Sequence, residues 1–176
     1  MAIRTKYIQT MVGDLLRQNR IKSAPVDVEQ IAKNLGIVVE FKPTKSEISG
    51  FLFRDHKNNK SIIGVNKSHH ENRQRFTLAH EIGHFVLHKF EGFHFDGISL
   101  RMRDENSSKG TIKEEREANK FASELLMPQP FLEKDLIKYE HSDLLFGSII
   151  PRLAKKYQVS ESALSFRLAN LGYIRL

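Results

Sequence analysis

The spacing of apolar side chains divides this 176-residue chain into helices arranged around a few short strands. Ile3, Tyr7, Ile8, Met11, Leu15 and Leu16 recur near helical spacing and predict a helix over 3–18. A second helix is expected over 26–35, with Pro25 at its start and Gly36 ending it. Three apolar runs, 37–41, 50–53 and 61–65, read as strands. Asp55, Asn58 and Asn59 predict a hairpin loop between the last two. A long helix over 71–89 follows, then helices over 112–126 and 129–140, and a helix–turn–helix-like pair over 148–171. Residues 91–110 read as irregular, and 104–110 as mobile. The expected fold is α+β, with helices around a small three-stranded sheet. Residues 1–140 are expected to form the main domain, and 141–176 a helical appendage packed on it.

The long helix contains the segment Thr77-Leu-Ala-His80-Glu81-Ile-Gly-His84, an H-E-x-x-H pattern. Two histidines four apart share a helix face, so both imidazoles can reach one ion. With 8 His in the chain, chance gives the pattern with an expectation of only ~0.03. Thr77, His80, Glu81, His84 and His88 form one polar stripe, and every other position from 78 to 87 is apolar or glycine. A solvated face would carry Lys and Glu instead. A buried helix with this single stripe points to a cleft holding a metal. Glu81 neighbours His80 and is placed to reach a water rather than the ion. Zinc lowers the pKa of a bound water to ~7, and a carboxylate there can accept its proton as general base.

The absence of cysteine excludes thiolate ligands, disulfides and a cysteine nucleophile together, so any metal is held by His, Asp or Glu. A third His at the metzincin spacing is missing, because Leu87 and Phe90 occupy those slots. His94 falls in a stretch read as an exposed loop. His88 lies ~6 Å further along the helix, which makes it a lining or supporting residue, with plain packing the alternative. The helix over 112–126 offers better candidates. Its apolar stripe is Ala118, Phe121, Ala122, Leu125 and Leu126. Glu117 and Glu124 are expected on the solvated flank, and Glu114 is assigned to a capping box with Thr111. Glu115 remains as a core-facing carboxylate, and Asn119 on the same edge is suited to orient a ligand. The competing reading of Glu115 is an acidic first turn.

These residues resemble the ImmA/IrrE family of metallopeptidases. The resemblance rests on Arg75-Phe-Thr-Leu-Ala-His-Glu-Ile-Gly-His84 followed by His88, then on Glu115-Arg-Glu-Ala-Asn-Lys-Phe-Ala-Ser-Glu-Leu-Leu-Met-Pro128. Residues 25–37 are similar to that family's N-terminal helix, and Gly50-Phe51 to its first hairpin. The similarity covers roughly 8–130. It implies a zincin-like core, with two His from one helix and Glu115 from the next, in a gluzincin-like arrangement. Related families often carry Asp where Asn119 stands. The family's role further implies cleavage of a helix-turn-helix transcriptional repressor. Zinc is the implied cofactor, with manganese an acceptable substitute. The runs at 50–53 and 61–65 are expected to offer a sheet edge to an extended substrate.

The net charge of +7 attracts an anionic partner, either nucleic acid or an acidic protein. The alternative function is therefore a DNA-binding regulator or antitoxin-like module, with a vestigial or structural metal site. Its basis is the pair over 148–171, with Ser160 as helix cap. The second helix (ESALSFRLANLG) carries only one basic residue, Arg167, few for base reading. No apolar run approaches ~18 residues, and Gln9, Thr10 and Asp14 interrupt the N-terminal segment. The expected location is cytoplasmic.

Overall fold

Period-2 and period-3.6 patterns resolve into eleven elements among the residues described by the computed structural model, which are 2–44, 48–89, 92–95, 105–139 and 149–175. In chain order they are α1 (Thr5–Gln18), α2 (Val28–Asn34), β1 (Ile37–Lys42), β2 (Gly50–Asp55), β3 (Lys60–Asn66), α3 (Glu71–Leu87), β4 (Gly92–Phe95), α4 (Glu105–Leu126), α5 (Gln129–Leu136), α6 (Ile150–Tyr157) and α7 (Glu161–Asn170). The fold is α+β, as the sequence predicts.

The sheet has four strands rather than three, in the order β1-β3-β2-β4. β1 runs parallel to β3, while β2 is antiparallel to both β3 and β4. The added strand comes from the stretch expected to be irregular. Its Phe-His-Phe alternation suits a half-buried strand. Leu52 pairs with Ile63 on one side and His94 on the other. Paired residues share a sheet face, so His94 lies on the face of Leu52 and Ile63, both fully buried. Phe93 points the other way and is exposed.

α3 packs against β2 and β3 and, on its other side, against α4. Gly83 allows the close α3–α4 approach: a Cβ there would stand 3.0 Å from Phe121 Cδ1 and 3.2 Å from Ala118 Cα. α1 covers a flank of α4. One apolar cluster joins Leu52 and Ile63 of the sheet, Ile82 of α3, Phe121 and Leu125 of α4, and Leu164 and Leu168 of α7.

α4 begins at Glu105, so 105–110 are helical rather than a loose segment. Residue 104 lies outside the described residues. Thr111 is then inside a helix rather than at its start, where a capping box would sit. The boundary expected near residue 140 also falls outside the described residues. α7 starts on Ser160, whose hydroxyl accepts from Ala163 N at 3.1 Å, the cap expected there.

Candidate metal centre

From Thr77 to His84 every residue of α3 is buried. The helix is enclosed by the sheet on one side and α4 on the other, so its polar stripe cannot be solvated. The imidazoles of His80 and His84 converge, with their Nε2 atoms 3.0 Å apart. Glu115 of α4 completes the group: its Oε2 is 3.3 Å from His80 Nε2 and its Oε1 is 3.5 Å from His84 Nε2. Donors at ~2.0–2.2 Å around a tetrahedral ion lie ~3.3 Å from one another. The observed spacing is that of three donors able to share one divalent ion.

The chemistry of the group agrees. Asn119 Oδ1 is 3.1 Å from His80 Nδ1. An amide oxygen only accepts, so His80 Nδ1 carries a hydrogen. Burial pushes His84 down to about 3, leaving it neutral. Burial works to raise the Glu115 carboxyl, but His80, His84 and His94 around it hold it far below the usual carboxylate range. A neutral His84 and an ionised Glu115 are forms a metal requires, and its binding displaces the hydrogen that the facing Nε2 atoms of His80 and His84 would otherwise share.

Glu81 is fully buried beside this group. One turn earlier, Thr77 meets the sheet at Gly50. A Cβ on Gly50 would fall 2.5 Å from Thr77 Cγ2, 2.8 Å from the Gly64 carbonyl and 3.8 Å from Glu81 Oε1. Only glycine lets β2 lie this close over the helix. Thr77 therefore sets the fit between helix and strand at the turn that carries Glu81. His88 ends α3 with an extended backbone, yet its Nδ1 stays 3.1 Å from His84 Nδ1.

Two features escaped the sequence reading. His94 is not in an exposed loop. From β4 its Nε2 reaches 3.1 Å from Glu115 Oε1, its Nδ1 lies 3.9 Å from Glu81 Oε2, and its ring centroid is 3.9 Å from that of His84. The alternation Phe93-His94-Phe95 was the available signal. Glu117 and Glu124 are not on a solvated flank either. Glu117 is 1% exposed and pairs with Arg4, while Glu124 is buried against Arg167. α1 and α7 cover that flank, which the wheel of one helix cannot reveal. Glu114, assigned to the capping box, is exposed.

Residues 32–169 match the Peptidase_M78 family, described as the IrrE N-terminal-like domain. The chain is 30% identical over 109 residues to the radiation response metalloprotease IrrE of Deinococcus radiodurans, covering 61% of this chain and 30% of that protein. It is 26% identical over 127 residues to metallopeptidase ImmA of Bacillus subtilis, covering 72% of this chain and 66% of that protein. It thus spans less than two thirds of either curated relative. A solved structure of a Mycobacterium tuberculosis transcriptional regulator superposes with a TM-score of 0.61 at 15% identity, covering 92% of this chain and 55% of that one. That likeness is one of fold.

Proposed function

We propose, from the premise that this chain belongs to the Peptidase_M78 family of IrrE N-terminal-like domains, that it is a metal-dependent endopeptidase. His80, His84 and Glu115 hold the ion, and Glu81 is the general base. The observation that carries this reading is the convergence of the three donor groups within 4.8 Å of one another. Two imidazoles and a carboxylate suit zinc and also accept manganese.

A divalent ion held there supplies a Lewis acid and lowers the pKa of a water to ~7. Glu81 takes the proton of the attacking water as its oxygen adds to the peptide carbonyl carbon. The same carboxylate delivers that proton to the amide nitrogen as the C–N bond breaks. His94 faces this space from β4, where an imidazole can donate to the carbonyl oxygen as it gains charge. The strands expected to offer an edge do not: β3 is central and β2 is covered by β4. An extended substrate has β4 to pair with, and pairing there runs it past His94.

The protein cleaved is a helix-turn-helix transcriptional repressor, cut once in a linker or exposed helix. Family resemblance supports that choice, and the net charge of +7 favours docking of an acidic partner. Direct DNA reading by α7 loses its one basic residue, since Arg167 is 1% exposed. Among the described residues no helix is long and apolar enough to cross a membrane. The test is incubation of wild-type and Glu81→Gln protein, with zinc or manganese, against a helix-turn-helix repressor encoded beside this protein's gene and against casein. Cleavage of the repressor by wild type alone is expected. Efficient digestion of casein with an untouched repressor would contradict the substrate assignment.

A further inference from the structure

We propose that His88, Glu117 and Arg4 form a hydrogen-bonded chain that fixes the ring of His84 for metal binding, so that His88 is a positioning residue and the start of the first helix is tied to the site. The inference rests on the reading that His84 holds the ion through Nε2.

The Nδ1 atoms of His84 and His88 lie 3.1 Å apart, both rings being buried. Two ring nitrogens at that distance share one hydrogen: one donates and the other accepts. Glu117 decides which. His88 Nε2 is 3.3 Å from Glu117 Oε2, and an ionised carboxylate only accepts. The ring hydrogen of His88 therefore sits on Nε2, which leaves its Nδ1 as acceptor. His84 must then donate from Nδ1, and its Nε2 is left bare toward His80 and Glu115.

The far end of the chain is anchored as firmly. Arg4 reaches Glu117 through Nη2 at 2.6 Å, Nε at 3.0 Å and its backbone N–H at 3.2 Å. Lys113 Nζ adds a more distant charge at 3.9 Å. Arg4 Nη2 also points at the Leu87 carbonyl at 3.4 Å, and Arg54 Nη1 donates to the His88 carbonyl at 2.9 Å. Two guanidinium groups thus meet the last carbonyls of α3 and hold His88 where the helix has already ended. His80 receives comparable support from Asn119. Each of these imidazoles thus has an Nδ1 partner, Asn119 of α4 for His80 and His88 at the end of α3 for His84.

A plain anchoring role for Arg4 and Glu117 accounts for stability but gives His88 no effect on the metal. Zinc affinity by chelator competition and ring 15N NMR of the metal-free full chain separate the two. The wild type should show the hydrogen on His84 Nδ1. His88→Leu should bind zinc about 10–100-fold more weakly. His88→Asn, whose amide oxygen stands near the lost Nδ1, should stay within a few-fold of wild type. Wild-type affinity in His88→Leu, or equal losses in both variants, would overturn the proposal. So would a hydrogen on His84 Nε2 in the wild type, a result that decides the matter even if His88→Leu does not fold. Wild-type protein that takes up no zinc would sink the metal-site reading instead, and the His84 ring hydrogen would still decide the chain.

Discussion

The guanidinium of Arg167 on α7 grips both carboxylate oxygens of Glu124 on α4, at 3.0 and 2.5 Å, and donates to the Met127 carbonyl at 3.1 Å. Both side chains are buried. Arg167→Leu leaves Glu124 as a buried carboxylate with, among the described residues, Lys120 at 3.1 Å as its remaining cation. The expected loss is about 3–5 kcal/mol of unfolding free energy in urea titrations. A loss under about 1 kcal/mol would mean that the pair is not the main tie between α7 and the core.

Gly83→Ala should lower stability by about 1–3 kcal/mol, because its methyl meets Phe121 and Ala118. The separation of α3 and α4 sets the reach from His80 and His84 to Glu115, so zinc affinity should fall with it. Thermal melting and chelator competition on the same sample check both effects. A variant as stable and as tightly metallated as wild type would show that the helices can part without cost.

The Arg4 guanidinium holds the Glu117 carboxyl down at about 2, against an ordinary 4.5. A depressed carboxylate stabilises the fold above its unfolded pKa and ceases to do so as pH falls through the folded one. The window is therefore pH 4.5 down to 2. The shift corresponds to ~3 kcal/mol at most, and the exposure of Arg4, 43% of its side chain, reduces this to about 1–2 kcal/mol. Wild type should lose that much relative to Glu117→Gln across the window. Parallel urea midpoints for the two proteins would contradict it.

His94→Ala should keep its zinc, because His80, His84 and Glu115 remain. Cleavage of the cognate substrate should drop by about 100-fold or more, mainly in kcat. Loss of the ion in this variant would make His94 a fourth ligand rather than a substrate-facing group.

Local pattern carried most of the helices, since the stripes of α1, α3 and α4 repeat at helical period over several turns. The polar stripe from Thr77 to His84 was legible because a buried helix leaves few explanations for such residues. β4 was not: four residues are too short for periodicity, and their pairing with β2 is non-local. Glu115 was selected partly for reasons the structure removes. The supposed capping box lies mid-helix, and the two glutamates set aside as solvated are buried under α1 and α7. Which flank of α4 is covered depends on elements about forty and more than one hundred residues away in sequence.

The central claim is that His80, His84 and Glu115 together hold a catalytic divalent ion, and metal content of purified, untagged protein tests it most directly. About one zinc or other divalent ion per chain is expected in wild type, Glu81→Gln and Glu114→Ala. His80→Ala, His84→Ala and Glu115→Ala should each bring it close to zero. A Glu115→Ala protein with its full complement of metal, or a wild type with none, would contradict the account.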